Sequence, residues 1–181
     1  MPYRHRNSMA AFKRSSQNLN LGSTLDLVDG TPANLEVTLP LSSLDREVFV
    51  VTDIQMEYEP IPTPTAAGNT VTLAASVNKT GTAFQSINDP DTIGSLQVQM
   101  QIPAIGTEAV LQSSRSPDEM SSGTVSDYIG IIATPNYVLA GTYATTAGGA
   151  LNRAVSVRLT GYRAVADAST YAALVTEELN S

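Results

Sequence analysis

The sequence predicts an all-β protein: a single β-sandwich of about eight short strands, with a mobile basic N-terminal arm and a short C-terminal helix. Segments that alternate apolar and polar residues recur along the chain, which is typical of strands buried on one face. Turn residues, mainly Gly, Pro, Asn and Asp, separate these segments at short intervals. The length of 181 residues is enough for one well-buried domain and short for two.

Several segments of the chain have strand character. They run over residues 35–39, 47–60, 70–77, 94–103, 109–112, 128–133, 137–139 and 154–162. In the second segment, residues 48–51 (VFVV) are apolar on both faces whereas the rest alternates. We therefore expect another element to cover part of that strand's outer face. The prolines of PIPTP (60–64) predict an exposed loop, and further loops are predicted over 113–123 and 141–152.

The segment 94–103, GSLQVQMQIP, alternates most regularly. Its apolar residues occupy even positions, and Gln97, Gln99 and Gln101 occupy odd positions. A strand with this pattern buries the apolar row and leaves the three amides facing outward. Solvent, another copy of the chain and a polar ligand such as a glycan are all suitable hydrogen-bonding partners for this row.

The C-terminal residues change from strand to helix periodicity. The apolar residues at helical spacing are Tyr171, Leu174 and Val175. Asp167 or Ser169 is placed to cap the first turn, so a helix is predicted over residues 168–179. Glu177 and Glu178 lie near its C-terminal end, where the helix dipole disfavours negative charge. A short helix with this fault needs a surface to dock on, and we assign its apolar row to a subunit interface.

The first 25 residues have a different charge from the rest of the chain. Their basic residues are Arg4, Arg6, Lys13 and Arg14, and His5 is the only histidine of the chain. All 17 acidic residues lie further along the chain. We therefore divide the chain into a basic arm, 1–25, and an acidic sandwich domain, 26–181. Such an arm has few apolar residues to pack it down and is suited to bind polyanions.

Patterns typical of enzymes and cofactor sites are missing from the sequence. It has no cysteine, its single histidine lies in the arm, and it has no Gly-rich phosphate-binding loop. Cys-His and Ser-His-Asp sites and a His-ligated metal are therefore not expected. We predict that the protein is not an enzyme and has no cofactor.

Close pairs of carboxylates are the remaining candidates for chemistry. They are Asp89 with Asp91, Asp118 with Glu119, and Glu57 with Glu59. A glycosidase needs two carboxylates from different elements facing one cleft, and turn residues or a solvated strand face explain these pairs more simply. Asp89 and Asp91 are weak candidates for Ca²⁺ ligands, because hard cations bind carboxylate oxygens.

No apolar run approaches the ~18 to 20 residues that cross a membrane. No apolar core follows the N-terminal charges, as one would in a secretory signal, so we expect synthesis in the cytoplasm. An Arg- and Ser-rich leader without acidic residues also describes an organelle transit peptide, and that alternative stays open.

The sequence combines a basic arm, a body of short strands, a Pro-rich loop, no cysteine and a composition rich in amides and hydroxyls. This combination resembles the small single jelly-roll capsid proteins of tailless icosahedral viruses. The resemblance implies a jelly-roll topology and assembly of identical copies into the icosahedral shell of a virion made in the host cytoplasm. It also implies that the arm, with Arg4, Arg6, Lys13 and Arg14, faces inward onto the genome or an internal membrane. The arm's charge is modest for RNA packaging, which keeps the membrane alternative open, and a second coat protein is a further candidate partner.

In a jelly roll, Gln97, Gln99 and Gln101 would bond to a neighbouring subunit without the desolvation cost of charges, so we interpret them as interface residues. Two other functions stay open. A carbohydrate-binding or adhesion module usually displays aromatic platforms, whereas this chain has no Trp and three Phe. An extracellular filament or surface-layer subunit should carry an export signal and has no need of a basic arm.

Overall fold

The computed structural model describes residues 12–103, 108–116, 128–146 and 152–180. The strands are β1 (Phe12–Arg14), β2 (Leu19–Leu27), β3 (Ala33–Thr38), β4 (Glu47–Tyr58), β5 (Thr70–Asn78), β6 (Thr92–Gln101), β7 (Val110–Ser116), β8 (Gly130–Ile132), β9 (Asn136–Thr145) and β10 (Arg153–Ala166), followed by helix α1 (Ala168–Asn180). They form two five-stranded antiparallel sheets. Sheet I contains β10, β4 and β8, with β1 and β2 end to end along the other edge of β10. Sheet II has the order β3-β9-β5-β6-β7.

The strand pairing is that of a long hairpin rolled into two layers. From the ends of the chain inward, β2 pairs with β10, β3 with β9, and β4 with β8, and these pairs fall alternately in sheet I and sheet II. β5 and β6 pair directly near the middle of the hairpin. This is the topology of a jelly roll. The predicted all-β jelly-roll sandwich is therefore confirmed. β1 and β7 extend the two sheets beyond the eight strands of the jelly roll.

The hydrophobic core lies between the two sheets. The largest fully buried side chains in it include Tyr137, Tyr143, Phe49, Leu27, Leu73, Leu96, Leu139 and Leu159. The alternation of β6 is confirmed, because Leu96 and Val98 are fully buried in this core. The Tyr137 hydroxyl lies 3.0 Å from the Ser23 hydroxyl. Burial raises the pKa of Tyr137, because the charged phenolate is disfavoured there, although the bond to Ser23 partly offsets the effect.

A second apolar cluster lies on the outside of sheet I, beneath α1. Val48 and Val50 of β4 form it with Ala133, Ala164 and Ala166. The apolar residues of α1 that pack against it are Tyr171, Leu174 and Val175. The sequence predicted that some element would cover the doubly apolar VFVV stretch, and the structure shows that this element is the helix.

The sandwich begins earlier in the chain than the predicted boundary at residue 25. β2 pairs with β10 from Leu19 opposite Gly161 to Leu27 opposite Arg153, and β1 pairs with the last residues of β10. Residues 12–25 thus belong largely to sheet I, because leucines at alternate positions of β2 face the core. Two predicted loops were also partly wrong, since residues 113–116 lie in β7 and residues 141–145 lie in β9.

Candidate functional site

The outer surface of sheet II carries a row of amides and hydroxyls that we call the glutamine face. Its members are Thr70, Thr72, Gln97, Gln99, Gln101 and Gln112. They share one surface because side chains alternate along a strand. The apolar residues of β5 and β6 face the core, so the residues between them face the outer surface of sheet II. Gln97 and Gln112 are exposed, and Gln99 and Gln101 are half-buried.

Gln99 lies at the centre of this face. In the strand register it stands between Thr72 of β5 and Gln112 of β7. Its Nε2 donates to Oε1 of Gln101 at 3.4 Å. The sequence correctly predicted that the three glutamines of β6 face outward, but it did not identify Gln112, because alternation within a strand does not reveal which strand lies beside it.

The glutamine face is uncharged although the protein is acidic overall. The outward positions of β5, β6 and β9 contain no Asp, Glu, Lys or Arg. On the edge strand β3, Glu36 occupies an outward position, and its Oε1 accepts a hydrogen bond from Nδ2 of Asn136. The arrangement can offer both hydrogen-bond donors and acceptors to a partner without first removing water from an ionised group.

Residues 79–91 form a loop that covers one end of sheet II, and Asp91 organises it. Asp91 is fully buried. Its Oδ1 accepts from the backbone N–H and the hydroxyl of Thr80 at 2.9 and 3.1 Å, and its Oδ2 accepts from the N–H of Gly81 at 2.7 Å. Asp89 Oδ1 in turn accepts the N–H of Asp91 at 3.0 Å. The structure thus gives both proposed Ca²⁺ ligands a role in holding the loop.

Among the described residues, no group of three or more His, Cys, Asp or Glu side chains is placed to hold a metal ion. The pair Glu57 and Glu59 lies at and just beyond the end of β4, with both residues exposed. Asp118 and Glu119 lie outside the described residues. In the same described ranges, the helix α1 has 13 residues, which is too short to span a membrane.

Hydrogen bonds hold both ends of the C-terminal helix. A side-chain cap holds its first turn, and bonds to the sandwich hold its last turn. At the start, Asp167 Oδ1 accepts from the N–H groups of Ser169 and Thr170 at 3.0 and 2.9 Å, which confirms Asp167 as the predicted cap. Hydrogen bonds from Ser169 and Thr170 hold the pKa of this carboxyl well below its usual value. At the other end, Glu178 is buried and bonded to backbone N–H groups following β8.

The expected docking of α1 on a partner must be corrected in one respect. Tyr171, Leu174 and Val175 pack on the chain's own sheet I, so the helix needs no second subunit to cover its apolar row. These side chains are half-buried, whereas Leu179 is 69% exposed. Contact of the three predicted residues with another subunit stays a prediction.

Four basic residues have their backbones at the end of sheet I where β1 begins, with Arg14 on the outer face of the sheet beside Tyr162 and Arg163 on the opposite face beside Glu47. We call Lys13, Arg14, Arg46 and Arg163 the basic corner. Lys13 and Arg14 pair in register with the end of β10, and the carbonyl of Arg46 accepts the N–H of Ala166 at 3.1 Å. Arg163, near the same end of β10, donates to Glu47 Oε2 at 3.4 Å. The sequence alone did not indicate Arg46 and Arg163. Folding places the backbone of Arg163 against Ser15 and Ser16, and the backbone of Arg46 against Ala166 across β10 from β1.

Arg14 is held in place by its own chain. Its guanidinium lies 4.5 Å above the ring of Tyr162, and it donates to the Ser16 carbonyl and Asn18 Oδ1, each at 2.7 Å. Lys13 and Arg14 are both exposed. Arg4 and Arg6, the other proposed polyanion-binding residues, lie outside the described residues. Asp45, Glu47 and Asp167 are near the corner as well, so its charge is mixed.

No protein-family model and no curated protein matches this chain. Among solved structures, a chain from Desmodium yellow mottle tymovirus is similar over 84% of this chain and 89% of its own length, with 14% sequence identity and a TM-score of 0.28. A TM-score this low does not support an argument about function.

Proposed function

We propose that this chain is a structural virion protein whose copies assemble through their sandwiches into an icosahedral shell. The glutamine face is the observation that carries the proposal. Charged residues are depleted in the cores of protein interfaces, and this face is free of them across three adjacent strands. Copies of an acidic protein repel one another, so they approach most easily through an uncharged surface.

The chemistry of glutamine suits a surface that meets another copy of itself. Each amide carries donors and acceptors, so two identical faces can satisfy each other with no complementary partner. Buried amides that are hydrogen-bonded across an interface avoid the cost of burying charges. We assign Gln97, Gln99 and Gln101 to this interface, together with Gln112.

The N-terminal segment provides the proposed inward contact. Arg4 and Arg6 precede β1, and Lys13 and Arg14 within it lie beside Arg46 and Arg163 in the basic corner. We propose that this end of the sandwich faces the genome or an internal membrane. A few cations bind a polyanion weakly in one copy, but a shell presents many copies at once and multiplies the effect. A second coat protein is a further candidate partner.

Particle size and morphology test the proposal directly. The full chain and a chain lacking residues 1–11 are examined by light scattering and negative-stain microscopy, with and without nucleic acid, at low and high salt. Closed shells of uniform diameter are expected for both chains. Loss of nucleic acid from the shells of the shorter chain would assign the contact to the arm.

The deletion ends at residue 11 because a longer one would remove strands of sheet I. A full chain that stays monomeric in every condition would overturn the assembly proposal. Open filaments in place of closed shells would favour the filament alternative. Shells that bind lipid vesicles but not nucleic acid would assign the arm to a membrane.

A further inference from the structure

A shallow hollow of about 350 Å³ lies on the outer surface of sheet I, on the sheet opposite the glutamine face. It spans β2, β10 and β4, and the exposed residues around it are Gly22, Thr24, Gln55, Glu57, Ser156 and Arg158. We call it the β2–β10–β4 hollow. It lies on the part of sheet I whose outward residues are polar, away from the apolar cluster under α1.

Gly22 leaves open space on the β2 side of this hollow. It faces Arg158 in the register of β2 and β10. A Cβ added at Gly22 would meet no atom within 4 Å, and the backbone there does not require a positive φ. Glycine in the interior of a strand costs stability, and the fold does not demand it here. Such a glycine often marks a place where a ligand approaches the backbone.

The side chains around Gly22 combine several kinds of hydrogen-bonding group. Arg158 is a donor, and its Nη1 lies 3.4 Å from Gln55 Oε1. The hydroxyls of Thr24 and Ser156 lie 3.1 Å apart and can each donate or accept. Glu57 supplies a carboxylate acceptor on the same surface.

We propose that this hollow binds a neutral, hydroxyl-rich ligand, a pyranose unit of a glycan. An anionic ligand would meet Glu57, and a cationic one would meet Arg158, so a single charge of either sign is opposed. Sugar hydroxyls donate and accept at once, which matches a lining of one cation, one anion, an amide and two hydroxyls. No aromatic ring is among the described residues that line the hollow, so we expect one site to bind weakly. The proposal is independent of shell assembly.

Saturation-transfer NMR of the full chain tests whether the hollow binds a glycan, because the method detects weak ligands on both monomers and large particles. The probes are methyl α-mannoside, methyl β-galactoside and the methyl glycoside of N-acetylglucosamine, each with and without an equal concentration of inorganic phosphate. We expect saturation transfer to at least one glycoside, unaffected by phosphate. Transfer to none of them, or displacement by phosphate, would overturn the proposal, and displacement would identify an anion site.

Two variants localise the binding. Gly22→Val fills the hollow, and we expect it to reduce the transfer at least tenfold. Asn34→Val is the matched control, because it adds a branched side chain at an exposed strand position on the other sheet and should leave the transfer unchanged. Arg158→Gln replaces the guanidinium and its five N–H donors by a shorter amide at an exposed position. It should also weaken the transfer several-fold, which keeps the test decisive if Gly22→Val does not fold. Equal transfer in wild type and in both hollow variants would place the ligand elsewhere and overturn the assignment.

Discussion

Glu178 Oε1 accepts a hydrogen bond from the backbone N–H of Ala133 at 2.8 Å, across 45 residues of sequence. Its Oε2 accepts the N–H of Thr134 at 2.9 Å, and the side chain is 1% exposed. Glutamate is seldom buried so fully unless it is paired. Both bonds join the end of α1 to the residues that follow β8. They explain why the sequence keeps a negative charge where the helix dipole disfavours one.

Replacing this carboxylate should loosen the helix. In Glu178→Gln one oxygen becomes an NH₂ group that faces a backbone donor, so we expect a loss of about 1–3 kcal/mol in the free energy of unfolding. Urea unfolding followed by circular dichroism measures it. Glu177→Gln is the control, because Glu177 is exposed on the same helix and should change stability by less than about 0.5 kcal/mol. Equal effects of the two variants would show that the buried bonds contribute nothing specific.

The backbone of Gly161 is pressed against β4 where the pairing of β10 with β4 shifts register. A Cβ at this position would lie 2.3 Å from the carbonyl oxygen of Val50. Because backbone cannot move aside cheaply, Gly161→Ala should destabilise the fold by about 3 kcal/mol or more.

Gly22→Ala is the matched control for Gly161→Ala, since space is open around Gly22. It should be neutral or stabilise by up to about 1 kcal/mol. The two unfolding curves in urea give the comparison. A Gly161→Ala protein as stable as wild type would contradict the close approach of β10 to β4.

Asp167 should make the stability of the helix depend on pH. Its pKa in the folded protein is lowered, chiefly by the hydroxyl of Ser169 and the N–H of Thr170. The stabilisation is therefore complete above the ordinary carboxyl pKa of about 3.9 and is lost as the pH falls below it toward the folded value. The urea midpoints of wild type and Asp167→Ala should differ by a constant amount above about pH 5 and converge below about pH 4.

Asp167→Asn keeps an acceptor oxygen for the helix cap but removes the titrating group. Its stability should therefore not follow the titration of Asp167, and wild type should lose stability relative to Asp167→Asn as the pH falls below about 4. A wild-type to Asp167→Ala difference that stays unchanged down to pH 3 would contradict the lowered pKa.

Charge introduced into the glutamine face should impair assembly and spare the fold. In Gln99→Glu, each copy brings a carboxylate to the centre of the proposed interface, where it must lose water without an opposite charge. Light scattering should show fewer or smaller particles, with an unchanged circular dichroism spectrum. Gln17→Glu makes the same change at an exposed position between β1 and β2 and should assemble normally. Normal assembly of Gln99→Glu would remove Gln99 from the interface.

Deletions of different length should separate the arm from the sandwich. Removing residues 1–25 deletes β1 and most of β2. It leaves β10 with an unpaired edge and the core open on one side, so we expect an aggregated or unfolded product. Removing residues 1–11 deletes no described strand and should preserve the unfolding midpoint. A cooperative unfolding transition in the longer deletion would show that β2 is dispensable.

Much of the fold follows from local sequence patterns. The alternation in β4 and β6 predicted strands and the face that each one buries. Residues 48–51, which are apolar on both faces, predicted that another element covers this strand, and the helical spacing before Glu178 predicted the C-terminal helix. These predictions succeed because the direction of a side chain depends on the period of its own strand or helix. For the same reason, the outward row of Gln97, Gln99 and Gln101 was predictable.

The neighbours of these residues were decided only by the tertiary structure. It places Gln112 beside Gln99, Ala133 against Glu178, and Arg46 beside the end of β10. It also pairs β2 with β10, which the basic character of residues 1–25 concealed. Each of these contacts joins parts of the chain that are far apart in sequence. The sequence by itself therefore determined which elements form and which faces they bury, whereas the rolled topology of the two sheets determined which residues meet.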